Sequence, residues 1–112
     1  MPGFPPGDRV LGKADFQRAM DRGRRRGDGI LSVTAFPNGL DRPRLGLAVG
    51  RRLGGAPERN RWKRRLREAF RLGRASLPAG FDFVVTPRGS AREPAFEALR
   101  ASLSALARDA AR

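Results

Sequence analysis

The stretch "ERNRWKRRLREAFR", Glu58–Arg71, restricts the possible fold more than any other part of the chain. It holds six Arg and one Lys, yet it also carries Trp62, Leu66, Ala69 and Phe70. On a helical wheel those four gather within about a third of the circumference. Asn60, Arg64, Arg67 and Arg71, at i, i+4, i+7 and i+11, line up on the opposite side. A disordered basic arm has no reason to keep apolar groups in helical register. The spacing predicts a helix docked by its apolar strip, with a row of guanidinium groups turned to solvent. The plain alternative is an ordinary solvated face. Such faces mix signs to gain i,i+4 pairs, whereas only Glu58 and Glu68 stand among these cations. From Arg51 to Arg74 there are 10 basic and 2 acidic residues, net +8 of the whole chain's +13.

That excess points to a polyanionic partner. A compact domain with 24 basic and 11 acidic residues repels itself unless a polyanion relieves it. Nucleic acid is the leading partner class and an anionic membrane surface the second. Only Lys13 and Lys63 are lysines; the remaining cations are arginine, whose planar fork suits phosphate. A GC-rich genome produces the same bias, so the net charge carries the inference and the Arg bias does not. The chain has no Cys and no His. This excludes disulfides, thiolate or His-ligated metal sites, His-dependent nucleophilic triads and a His general base. No apolar run is long enough to span a membrane, and "MPGFPPGDRV" lacks a signal-peptide core. A cytoplasmic location is the expectation.

With 112 residues, the length suits one domain. Residues 1–12, rich in Pro and Gly, read as a loose N-terminal extension. "KADFQRAMDRG" predicts a short helix, with Phe16, Ala19 and Met20 on one face and Gly23 as its stop. "RRRGDG" reads as a charged loop. "ILSVTAF" alternates as a strand, with Ile30, Ser32, Thr34 and Phe36 on one face and Leu31, Val33 and Ala35 on the other. Asn38-Gly39 is a strong hairpin signal, so "RLGLAVG" is expected to pair with that strand. "FDFVVTP" is a further strand. "EPAFEALRASLSALARDA" predicts a closing helix with Pro94 in its first turn and Phe96, Leu99, Leu103 and Leu106 as its core stripe. The order α-β-β-α-β-α implies an α+β (α/β sandwich) fold, one small sheet with helices packed on it.

Two other motifs weigh less. "GRRLGGAPERN" brings glycines to a helix N-terminus, a phosphate-friendly arrangement, but it lacks the ending of a Walker loop. Glu93 and Glu97 stand four apart; acids near a helix start are explained by the macrodipole. The acids are too scattered for a metal-dependent nuclease.

These residues carry a resemblance. "RLGLAVGRRLGGAPERNRWKRRLREAFR", Arg44–Arg71, resembles the signature of the protein subunit of bacterial ribonuclease P: a strand, two basic residues, a Gly loop, then Arg-Asn-Arg and a Lys-Arg helix ending in Arg-Glu-Ala-Phe. "KADFQRAMDRG", "FPNGLDRPRLGLAV" and "AGFDFVVTPR" are similar to the family's first helix, hairpin and late strand. The likeness extends over residues 9–108 in matching order.

The resemblance implies that the protein has no catalytic residues and no metal site of its own. In that family an RNA subunit, with Mg2+, removes the 5′ leader of precursor tRNA. The implied RNA-binding set is Arg51, Arg52, Arg59, Asn60, Arg61, Lys63, Arg64 and Arg67. The implied leader cleft, between the sheet and the first helix, holds Phe16, Met20, Ser32, Thr34, Phe36 and Ala48. Partners would be the catalytic RNA and the precursor leader, with a protein monomeric on its own and no membrane. The resemblance also implies a left-handed strand–helix–strand crossover, against the usual right-handed rule. Met20 stands where the family carries a second aromatic, Thr34 often likewise, and there is no Tyr. Gly50-Arg51-Arg52 replaces a Ser-Lys-Lys, and Trp62 an aliphatic. The runner-up reading is a ribosomal or general RNA-binding protein with no part in cleavage.

Overall fold

A computed structural model describes residues 11–88 and 94–112. Helix α1 spans Lys13–Arg22, strand β1 Arg24–Gly27, β2 Leu31–Pro37, β3 Arg44–Leu47, helix α2 Ala56–Gly73, β4 Phe81–Pro87 and α3 Phe96–Ala110. The four strands form one mixed sheet in the order β1-β2-β4-β3. The α+β class is as expected; the strand pairing is not.

The expected hairpin does not form. β4 lies between β2 and β3, antiparallel to β2 and parallel to β3. The Asn38-Gly39 segment still turns, with Gly39 at φ 71°, but it serves a different closure. Asn38 donates from its side chain to Asp82 Oδ1 (2.9 Å) and to Arg42 O (3.2 Å), and its N–H donates to Gly80 O (2.9 Å). Arg44 then grips Asp82 with a two-pronged fork, Nε to Oδ1 at 2.8 Å and Nη2 to Oδ2 at 2.9 Å. A buried carboxylate demands such partners. Asp82 therefore draws the turn and β3 onto β4, where simple hairpin chemistry would have drawn β3 onto β2.

β1 is a second departure, because "RRRG" was expected as loop. Its register pairs Arg24 with Ala35, Arg25 with Thr34, Arg26 with Val33 and Gly27 with Ser32. Arginines are tolerated there because β1 is an edge strand whose side chains reach solvent or acids. Arg26 lies 3.3 Å from Asp109, and Arg24 donates to the carbonyl of Arg112.

The two sheet faces carry different layers. Leu31, Val33, Ala35, Leu45, Phe83 and Val85 pack against Trp62, Leu66, Ala69 and Phe70 of α2 and Leu99, Leu103, Leu106 and Ala107 of α3. On the other face Leu11, Ala19 and Val84 form a smaller cluster, joined by Phe16, Phe36 and Ala48. Ile30 was expected on that second face, but it precedes β2 and packs with the larger cluster. Leu11 was assigned to the loose extension, yet it is buried and its N–H donates to Leu45 O at 2.8 Å. Gly23 ends α1 as expected. A Cβ there would meet Ala19 O at 2.5 Å and Thr34 Cγ2 at 2.6 Å, so only glycine lets the chain turn so close to β2. α3 starts at Phe96, leaving Pro94 outside the helix; Glu93 falls outside the described residues.

Asp28 closes the β1–β2 connection. Its Oδ1 accepts from the N–H groups of Ile30 and Leu31, and its Oδ2 from Ser102 Oγ at 2.6 Å. Partial burial alone would raise its pKa. The Ser102 bond, the two backbone donors and the nearby Arg88 outweigh that and hold it below its ordinary value of 3.8.

Two stability measurements test this packing. Trp62→Ala is expected to lose about 3–5 kcal/mol in urea unfolding, while Arg64→Ala stays within about 0.5 kcal/mol of the parent; comparable losses would show that the helix faces are misassigned. A lowered folded-state pKa means that Asp28 stabilises above its unfolded pKa, and that this contribution disappears as pH falls through the folded value. Asp28→Asn should therefore be less stable than the parent at pH 7, with the gap shrinking below pH 4 or so. A gap independent of pH would contradict the ionised role.

Candidate functional site

α2 is an amphipathic rod of 18 residues. Trp62, Leu66, Ala69 and Phe70 are each at most 3% exposed, as the wheel required. Asn60, Arg61, Arg64, Arg67 and Arg71 are exposed, and Arg59 and Lys63 half-buried. The row is not uniform in chemistry. Arg71 donates to both oxygens of Glu68, at 3.0 and 2.6 Å. These bonds from Arg71 keep the Glu68 carboxyl below its ordinary pKa, despite the small opposing effect of desolvation. Arg65 turns the other way and donates to Pro94 O at 2.6 Å. Among the described residues Arg64 and Arg67 make no ion pair, so their charge faces solvent uncompensated.

The loop before α2 extends this surface. Gly54 has φ 119°, and a Cβ there would stand 2.8 Å from Glu58 Cβ, so a side chain is excluded on both counts. The tight turn holds exposed Arg51 and Arg52 against the end of the sheet, where Arg52 Nη2 donates to Pro87 O at 2.7 Å.

Beside this lies the face covered by α1. The helix passes over Gly46, Val84 and Thr34: Phe16 and Leu11 approach Gly46, and Gly23 presses on Thr34. The next row of the sheet runs Gly27, Ser32, Thr86, as the strand registers align them. Ala48 continues it, its N–H donating to Val85 O at 2.9 Å. The structure thus brings Phe16, Phe36 and Ala48 into one half-buried cluster, with Met20 one helical turn beyond Phe16 and 37% exposed. Ser32 and Thr34 sit differently from a direct contact surface, at 2% and 4% exposure. Thr34 is shut beneath the end of α1. Ser32 accepts from Arg25 Nε at 2.7 Å. They form the floor.

Sequence reasoning missed two cations here. Arg25 was read as part of a loop, but β1 turns it onto this face. Arg88 follows β4 and lays its guanidinium over Gly27, 2.7 Å from where a Cβ would stand. Alternation beyond Thr86 of β4 would have indicated Arg88, and alternation in β1, had it been recognised, Arg25. At the opposite end the charges cancel: Arg44 is held by Asp82 and lies 3.4 Å from Asp15. The hydrogen bond to Asp82 raises the Arg44 pKa, more than burial lowers it. The strip is therefore cationic at one end and self-neutralised at the other. Its small side chains, flanked by aromatics and guanidiniums, suit a thin, extended, anionic chain.

The described carboxylates do not fit a divalent ion. Asp82 and Asp28 are saturated by internal donors, and no three acids gather in one place. No described helix is long and apolar enough to cross a membrane.

Comparisons with known proteins agree with this geometry. The sequence model of the Ribonuclease P family matches residues 4–111. The ribonuclease P protein component of Photobacterium profundum is 42% identical over 92 residues, 81% of this chain and 77% of the relative. That of Chloroflexus aggregans is 38% identical over 104 residues, covering 92% and 77%. The structure is similar to the RNase P protein from Thermotoga maritima, with TM-score 0.79, 32% identity and coverage of 91% and 96%. The Staphylococcus aureus RNase P protein gives 0.77, 30%, 91% and 94%.

If the open row on α2 is a polyanion surface, Arg64→Ala and Arg67→Ala should each weaken binding to single-stranded RNA. Each should also flatten the plot of log K against log salt by about one phosphate contact. Arg71→Ala, already paired internally, should change the slope less. Equal slopes for all three and the parent would remove α2 from the interface.

Proposed function

Since the chain belongs to the ribonuclease P protein family, we propose that it acts as the protein subunit of that ribonucleoprotein, binding a catalytic RNA and the 5′ leader of precursor tRNA. The observation that carries this reading is the juxtaposition of two surfaces. The loop that leads into the α2 row brings Arg51 and Arg52 to the end of the sheet, where Arg52 donates to Pro87 O beside the strip floored by Ser32 and Thr86.

On this reading α2 and its preceding loop hold folded RNA through Arg51, Arg52, Arg59, Asn60, Arg61, Lys63, Arg64 and Arg67. A folded RNA presents ridges of phosphate, and a rigid rod with cations at helical spacing can meet several at once. The single-stranded leader lies in the strip. Phe16, Met20 and Phe36 offer apolar faces to bases, Arg25 and Arg88 neutralise backbone phosphates, and Ser32 positions Arg25. Apolar faces for bases are of use only to bases that are not already paired, which favours a substrate with an unpaired leader.

The chemistry belongs to the RNA. Mg2+ would be held by RNA phosphates and supply charge neutralisation there. This chain's contribution is to concentrate cations where two polyanions must approach each other, which lowers the repulsion otherwise screened by metal ions.

Reconstitution tests the proposal. At low Mg2+ the purified protein should accelerate cleavage of precursor tRNA by the family's RNA subunit, and should favour precursor over mature tRNA in binding. Protein alone should not cleave. Salt-sensitive binding of all RNAs alike, with no effect on cleavage, would indicate a general RNA-binding protein.

A further inference from the structure

Arg64 has a second neighbourhood besides the solvent. Together with Arg65, Glu68 and Phe96 it lines a hollow of about 380 Å³ where α2 meets the start of α3. Among the described residues three of the four that line it are charged, yet the walls they form are almost wholly apolar, because the side chains present their stems and direct their charged ends elsewhere. Arg65 is turned to Pro94 O at 2.6 Å, and Glu68 is clamped by Arg71. Phe96, half-buried, forms the aromatic wall while its other side packs on the larger core.

We propose that this hollow is a nucleobase pocket, taking one unstacked base of an RNA whose phosphates lie on the α2 row. The proposal rests on the RNA-binding reading above and adds a base-stacking site to it. Size and polarity both suit a flat, apolar-faced heterocycle. Its rim decides the class of occupant. The pocket opens beside uncompensated Arg64, within a segment of net +8, so a base tethered to phosphate is drawn in. An apolar side chain of a basic or neutral protein gains nothing from that charge. Pre-set walls matter as well: Arg65 and Glu68 are already fixed, so little side-chain freedom is lost on entry. Phe96 supplies the stacking face and Arg64 the phosphate contact, which places base and backbone recognition on neighbouring side chains of two helices.

The test uses the full chain and two single-stranded oligoribonucleotides of equal length, an oligoadenylate and its abasic counterpart. The variants are Phe96→Leu, which keeps an apolar side chain, and Arg64→Ala, with thermal unfolding to establish that each is folded. The parent should prefer the oligoadenylate. Phe96→Leu should reduce that preference about five-fold or more, the lower end of aromatic base stacking, while leaving affinity for the abasic strand unchanged. Arg64→Ala should weaken both ligands by the same factor. An undiminished preference in Phe96→Leu, or equal loss for both strands, would overturn the pocket while leaving RNA binding by α2 intact. If the parent bound neither strand, the RNA-binding reading itself would fall.

Discussion

A helix with six arginines and a lysine between residues 58 and 71 repels itself, and it stands because Trp62, Leu66, Ala69 and Phe70 sink into the larger core. Full burial of a large apolar side chain contributes roughly 1.5–3 kcal/mol, so this strip outweighs the modest like-charge penalties along the exposed face. The same burial sets the orientation of the cations. Once four positions face inward, Asn60, Arg64 and Arg67 have no choice but solvent. Loosening the strip would leave the charge in the chain but dissolve the surface.

The second constraint is Asp82. A carboxylate 3% exposed inside a sheet must be hydrogen-bonded and neutralised. Arg44 and Asn38 meet that demand from β3 and from the turn before it. The consequence reaches beyond the network itself. With β4 inserted between β2 and β3, the ends of β3 and β4 lie side by side, and the loop carrying Arg51 and Arg52 starts next to Arg88. Had β3 paired with β2, those cations would have been separated. At the Asp82 end Arg44 is taken up by that carboxylate, whereas at the other end Arg25, Arg51, Arg52 and Arg88 outnumber the nearby acid Asp28.

How much of this was legible depends on the range of the interaction involved. The faces of α2 follow from spacing within one helix, so the buried strip and the exposed row assigned to it were readable. The stripe of α3 was readable for the same reason. Phe16, Phe36 and Ala48 were assigned to one cleft through resemblance; each packs against the small cluster of Leu11, Ala19 and Val84. Arg25 was not foreseen, because β1 has no apolar alternation; it is a strand only because β2 offers it an open edge. Ser32 and Thr34 lie on the face assigned to them, but alternation does not report depth. It takes the close approach of Gly23 to bury Thr34 and the Arg25 hydrogen bond to cover Ser32.

The amino-acid sequence by itself determined the helices, the sign and location of the charge, and the absence of His and Cys chemistry. These are properties of composition and of contacts between residues a few positions apart. Tertiary structure alone decided the strand order, the edge strand of arginines, the two-ended polarity of the strip and the hollow beside Phe96. Each depends on residues far apart in the chain: Asp82 on Arg44 and Asn38, Arg88 on Gly27, Phe96 on Arg64. Local preference specified the elements, and buried polar groups that had to find partners specified how those elements were joined.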